Sequence, residues 1–173
     1  MAVLVAYASR FGSTREIAGH VAARLRERGH AVELRSAAQV ADVDPYEAVV
    51  LGSAVYDGSW LPEATQLARR AGTALADRPV WLFSVGAFGD RHRVIGRWIR
   101  REPREIRWLR EAARPRDYRV FAGVIERGRW SLLGGLVLKV FGGGFGDRRD
   151  WPAIDTWAVE IARELERAAP EGR

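Results

Sequence analysis

The 173-residue chain carries a formal net charge of +6, 47% hydrophobic residues and no cysteine. That composition fits one domain, residues 1–173, with a sizeable core, and it excludes disulfide frameworks, thiolate nucleophiles, zinc–thiolate sites and iron–sulfur ligation. Any redox chemistry must therefore come from a bound cofactor, and no metal site is expected. Lys139 is the only lysine, so nearly all the positive charge is arginine. It is not interleaved with a base-reading motif, and nucleic-acid binding is not expected. Met1 leads directly into Val3-Leu4-Val5, and no apolar run reaches transmembrane length, which predicts a cytoplasmic protein.

The first predicted strand is Ala2 to Ala8, an almost continuous apolar run of the kind buried on both faces of a parallel sheet. A helix follows. Ser13 and Glu16 have the spacing of a capping box, Ile17, Val21 and Leu25 mark one face, and Gly29 supplies a stop. Further strands are predicted at Ala31–Leu34, Ala48–Gly52, Val80–Val85 and Arg119–Ile125. Helical spacing appears over Leu61–Leu75, and again through Ile154, Trp157, Ile161 and Leu165 in a last helix starting near Asp150 and Pro152. Alternating strands and helices predict a doubly wound α/β sheet with helices on both faces.

Ligands of such sheets bind beyond the carboxyl ends of the strands. Three loops there are small and polar: Ser9-Arg10-Phe11-Gly12-Ser13-Thr14, Ser53-Ala54-Val55-Tyr56-Asp57-Gly58 and Ser84-Val85-Gly86-Ala87. In the first, hydroxyls and N–H groups converge where a helix begins, which suits a phosphate dianion; helix capping alone would also account for Ser13 or Thr14. The loop lacks the lysine of a P-loop and the three spaced glycines of a dinucleotide fingerprint. Ser9, Ser53 and the fifth strand also lack the carboxylates and lysine that a phospho-acceptor receiver domain places there.

With Ser9, Gly12 and Thr14 meeting a Thr/Ser-x-x-Gly-x-Thr pattern, the chain resembles the flavodoxin superfamily. Leu51-Gly52-Ser53-Ala54-Val55-Tyr56 with Gly58, Phe83-Ser84-Val85-Gly86, Phe121-Ala122-Gly123 and Asp150-Trp151 resemble the flavodoxin-type menaquinone-dependent protoporphyrinogen IX dehydrogenases. Phe11 departs from the polar residue of the pattern, and Trp60-Leu61-Pro62 matches only loosely. The resemblance implies a flavodoxin-like five-stranded sheet of order 2-1-3-4-5, and noncovalent FMN with its phosphate on Ser9 to Thr14. It further implies that the second and third loops sandwich the flavin ring, with Tyr56 as the preferred stacking residue and Trp60 as the other. The Asp57–Gly58 peptide would turn its carbonyl to the reduced flavin, and electrons would pass from a reduced porphyrinogen-like or other apolar substrate to a quinone or redox partner.

Two segments lie outside that pattern. Arg91 to Arg119 is rich in arginine, with Ile95, Trp98, Ile99, Ile106 and Leu109 at helical spacings. It reads as a solvated basic face over an apolar one, or, at Arg91, His92 and Arg93, as a lure for substrate carboxylates with His92 as proton donor. The insertion at 126–146 places Leu133, Leu136, Val137, Val140 and Phe141 along one face among several glycines. It suits packing on the domain, a lid, or a peripheral membrane contact. A carrier flavodoxin, a flavin enzyme of a specialised biosynthetic pathway and a flavin-free binding module remain alternatives, and homodimerisation is compatible with the sequence. Carrier flavodoxins are usually acidic, unlike this chain.

Overall fold

The computed structural model describes residues 2–86, 102–125 and 146–168. Ala87, Arg91, His92 and Arg93, the predicted helical positions Ile95, Trp98 and Ile99, and the insertion up to residue 145 lie outside the described residues.

The apolar run predicted as the first strand forms β1 (Ala2–Ala8), followed by α1 (Ser13–Glu27) and β2 (Ala31–Ser36). Next come β3 (Ala48–Tyr56), β4 (Ser59–Trp60), α2 (Pro62–Ala71) and β5 (Val80–Gly86). The remainder is α3 (Arg104–Ala113), β6 (Asp117–Ala122), β7 (Val124–Ile125), β8 (Gly146–Asp147) and α4 (Trp151–Ala168). The parallel strands lie in the order β2-β1-β3-β5-β6, with β4 an antiparallel addition to β3 and β7-β8 a separate ribbon. This is the order expected from the sequence, counting the five parallel strands alone.

Successive strand residues face opposite sides of a sheet, so a run that is apolar throughout feeds two cores. Val3, Val5, Val50, Trp81 and Phe83 pack beneath α1 and α4, whose stripes are Ile17, Val21 and Leu25 and Ile154, Trp157, Ile161 and Leu165. Leu4, Ala6, Val49, Leu51 and Leu82 pack beneath α2 and α3 through Ala64, Leu67, Ile106 and Leu109. Burying a large aliphatic or aromatic side chain contributes on the order of 1.5–3 kcal/mol, so both layers are needed to hold the sheet.

Several boundaries differ from the sequence expectation: the second strand runs on to Ser36, the fifth parallel strand begins at Asp117, and three others shift for identifiable reasons. The third strand runs past Gly52 to Tyr56 because its end pairs with β4, Val55 with Trp60 and Tyr56 with Ser59. The 61–75 helix stops at Ala71 and continues as a 3₁₀ turn over Gly72–Leu75. The fifth parallel strand ends at Ala122: Gly123 bonds back to the Gly86 carbonyl at 2.9 Å, and Val124–Ile125 then pairs with Gly146–Asp147.

Candidate functional site

Register gathers the predicted loops. Ala8 pairs with Ser53 and Ser53 with Ser84, so the ends of β1, β3 and β5 form one row at the carboxyl edge of the sheet.

The loop after β1 closes on itself, Ser9 Oγ accepting from the Gly12 N–H at 3.0 Å. Gly12, at φ +96°, occupies the cap position of α1, a left-handed conformation that favours glycine. The Ser13–Glu16 capping box does not form: no side chain caps α1, and the Glu16 carboxylate is held instead by Arg149. The first helical bond runs from the Glu16 N–H to the Gly12 carbonyl at 2.9 Å, so the N–H groups of Ser13, Thr14 and Arg15 precede the helical ladder. Thr14 is fully buried, and its hydroxyl has no hydrogen-bond partner among the described residues. The other such atom among them is His30 Nε2, at the opposite edge of the sheet where β2 begins. Ser13 lies against the end of β6, where a Cβ added at Gly123 would come within 3.1 Å of its Oγ.

The second loop is a hairpin. Asp57 (φ 49°) and Gly58 (φ 75°) are the two central residues between Tyr56 and Ser59, the pattern of a type I′ turn. Its predicted ligand groups divide sharply. Ser53 Oγ donates to the Ala54 carbonyl and accepts from the Leu61 N–H, both at 2.9 Å. Ser84 Oγ accepts from the Trp60 indole N–H at 2.7 Å and from the Tyr118 hydroxyl at 2.9 Å. Both serines are fully buried, so their hydroxyls hold the loops in place. Trp60, also buried, is part of that scaffold and its ring is not open for stacking. Ala54 and Val85 are core, while Val55 and Gly86 are partly open.

Tyr56 is 37% exposed and meets Phe11, 49% exposed, edge to face with centroids 6.0 Å apart. The Arg10 guanidinium carbon lies 5.5 Å from both ring centroids. Arg10, Phe11 and Tyr56 thus bring the first and second loops together.

Sequence reasoning missed Arg149. Its guanidinium takes both Asp147 carboxylate oxygens, at 2.8 and 2.6 Å, reaches Glu16, and stacks 4.6 Å from the Trp151 ring centroid. Hydrogen bonds from Arg149 hold the Asp147 carboxyl below its usual range, and Asp147 in turn raises Arg149. This tie fastens β8 and the start of α4 to the first turn of α1. No local signal reveals it, since Glu16 and Arg149 are distant in sequence.

The sequence profile of the family described as Flavodoxin domain matches residues 4–138. The chain belongs to the Flavodoxin domain family. This flavodoxin domain is 26% identical to the protoporphyrinogen IX dehydrogenase [quinone] of Escherichia coli (strain K12) over 94% of the chain and 95% of that protein. In fold it is similar to a flavodoxin from the domain Archaea, with TM-score 0.61, 15% identity and coverage of 96% of this chain and 99% of that one. A single-residue mutant of a flavodoxin from Pseudomonas aeruginosa gives TM-score 0.60 at 14% identity, covering 96% and 99%. Among the described residues, no helix of this flavodoxin domain is long and apolar enough to cross a membrane.

Proposed function

We propose that the chain binds FMN at the carboxyl edge of the sheet and acts as an oxidoreductase, taking electrons from a porphyrinogen-like or other apolar substrate and passing them to a quinone. The observation that carries this reading is the first turn of α1. Three N–H groups outside the helical ladder and a buried hydroxyl without a partner among the described residues converge there, beside the exposed Tyr56. A phosphate dianion would supply the missing acceptors, and the α1 dipole and the +6 charge would favour it.

The residues fit such a group through different atoms in each loop. Main-chain N–H groups of Ser13, Thr14 and Arg15 and the hydroxyls of Ser13 and Thr14 would hold the phosphate. The Tyr56 ring and the Asp57–Gly58 peptide would border the flavin ring, with main chain at Ala54, Val55, Val85 and Gly86. When bound, FMN would supply the electron-transfer chemistry, as the chain has no cysteine to form a redox couple of its own. The protein's own part is to fix orientation, exclude water with Phe11 and Tyr56, and keep both loops rigid through Ser53 and Ser84. The relationship to a quinone-linked dehydrogenase supports the quinone as acceptor, and the positive charge weighs against an acidic carrier flavodoxin.

The test is to release and identify the cofactor of the purified protein, then add protoporphyrinogen IX anaerobically, followed by menaquinone. Stoichiometric FMN that bleaches with porphyrinogen and recovers with menaquinone is expected. A protein that takes up no FMN refutes the cofactor assignment. Bound FMN indifferent to porphyrinogen but reduced by a protein donor replaces the enzyme with a carrier.

A further inference from the structure

Arg10 is placed unlike Arg149 at the same edge. Arg149 is saturated by Asp147 and Glu16, whereas the Arg10 guanidinium has no carboxylate partner among the described residues. It is nevertheless held in place. A guanidinium within about 6 Å of an aromatic centroid is attracted to the ring face, by roughly 0.5–1 kcal/mol at an exposed site. Arg10 meets that condition at both Phe11 and Tyr56. Two cradling rings restrict a side chain that would otherwise sample many rotamers, while its fork of N–H donors remains unmatched by any anion of the described residues.

The position adds a second constraint. Arg10 sits on the loop whose main chain would hold the phosphate, and its cradle includes Tyr56, beside the Asp57–Gly58 turn. An anion paired with Arg10 would lie at the rim of the flavin-ring site, with the apolar body of the same molecule on the exposed faces of Phe11 and Tyr56. Phe11 at 49% and Tyr56 at 37% exposure lie against each other, so the two rings present one contiguous aromatic face beside Arg10.

We propose that Arg10, oriented by Phe11 and Tyr56, is the specificity-determining residue that receives a carboxylate of an apolar, ring-containing substrate at the edge of the cofactor site. This rests on the FMN reading for its catalytic meaning, but the binding event can be measured without it. The pairing is charge-assisted and bidentate, so it favours a carboxylate over its ester and arginine over lysine. Phe11 has two parts here: it positions Arg10 and its open face borders the apolar body of the substrate.

The experiment uses the full chain and two probes, protoporphyrin IX and its dimethyl ester, titrated in the same detergent with intrinsic fluorescence quenching as the readout. For the parent, the free acid binds at least tenfold more tightly than the ester. Arg10→Gln loses that preference, binding both alike, and Arg10→Lys restores only part of it. Phe11→Leu weakens the ester modestly through the lost ring face and the free acid several-fold more, because Arg10 also loses its orientation. FMN content, measured on the same preparations, remains that of the parent in Arg10→Gln and Arg10→Lys, because the side chain of residue 10 makes no contact with the phosphate as assigned.

An acid-over-ester preference that survives Arg10→Gln overturns the proposal, as does equal weakening of acid and ester. Loss of FMN in Arg10→Gln overturns it differently, by assigning Arg10 to the cofactor phosphate. If the parent takes up no FMN, the redox reading fails, while the porphyrin titration still decides Arg10.

Discussion

A methyl group at position 52 is expected to be the most damaging small change near the site. Gly52 lies one residue before Ser53 in β3, paired in register with Phe83 of β5. A Cβ built there would come within 2.0 Å of Phe83 Cζ and 2.1 Å of Cε1, far inside van der Waals contact. The Phe83 ring cannot easily move aside. It is fully buried and packs against Phe121 at 6.2 Å and Trp157 at 5.8 Å between centroids. Overpacking of this kind costs about 1–3 kcal/mol, and here the upper end or more is expected because the obstacle is a caged ring. At about 3 kcal/mol, the thermal midpoint of a domain this size falls by roughly 6–12 °C. Phe83→Ala alone removes an aromatic core side chain, at about 3–5 kcal/mol. In that background the methyl of Gly52→Ala has space, so the second substitution should cost under about 1 kcal/mol. Urea unfolding of the two single variants and the double variant measures the coupling. Additive losses, or a Gly52→Ala protein within about 0.5 kcal/mol of the parent, would show that the ring does not occupy the space assigned to it.

Thr14→Val exchanges a buried hydroxyl without a partner among the described residues for a methyl, so the cofactor-free protein should be as stable as the parent or gain about 1 kcal/mol. FMN affinity should fall about tenfold, one lost charge-assisted bond, read by fluorescence titration. Destabilisation of the cofactor-free form would mean that the hydroxyl has a structural partner. Trp60→Phe removes the donor to Ser84 Oγ at 2.7 Å and should lower unfolding free energy by about 2 kcal/mol in urea; an unchanged midpoint would contradict the scaffold role of that bond. Asp147→Asn bears on acid stability. The Asp147 carboxyl is held below its ordinary value of 3.8, chiefly by hydrogen bonds from Arg149. A carboxylate depressed in the folded state stabilises above its unfolded pKa, and that contribution disappears as pH falls through the lower folded value. The Asn variant should therefore melt below the parent at pH 7, with the gap narrowing from about pH 3.8 downward. A gap that stays constant well below that pH would exclude the Arg149 pair as its source.

The parts of the fold legible in the sequence were those set by local pattern. Ala2–Ala8 has its predicted bounds because the apolar run is buried by helices on both faces of the sheet and stops where polar Ser9 opens the loop. The doubly wound sheet followed from the alternation of strands and helices, and its strand order from the resemblance that the loops carry. Errors begin where a distant partner decides. Ser13 and Glu16 have capping-box spacing, but Gly12 takes the cap position and Arg149, far along the chain, takes the Glu16 carboxylate. The partners of the Ser53 and Ser84 hydroxyls, Leu61, Trp60 and Tyr118, were likewise not legible, while the expectation that the main chain of these loops borders a ligand is untouched by them. The continuation of β3 into a hairpin was readable in Asp57-Gly58, a strong two-residue turn signal that the strand assignment passed over.

The contrast between the three hydroxyls at this edge carries the functional reading further than their number does. Ser53, Ser84 and Thr14 are equally buried. Leaving a buried hydroxyl unpaired costs about 1–3 kcal/mol, a sizeable share of the net stability of a domain. The fold avoids that loss at Ser53 and Ser84 by bringing in partners from other segments, and accepts it at Thr14, in the first turn of a helix whose leading N–H groups also lie outside the ladder. A bound phosphate would relieve all of these groups together, which links cofactor affinity to loop stability. Loading with FMN should therefore raise the melting temperature of the parent more than that of Thr14→Val, and the difference reports the contribution of that hydroxyl.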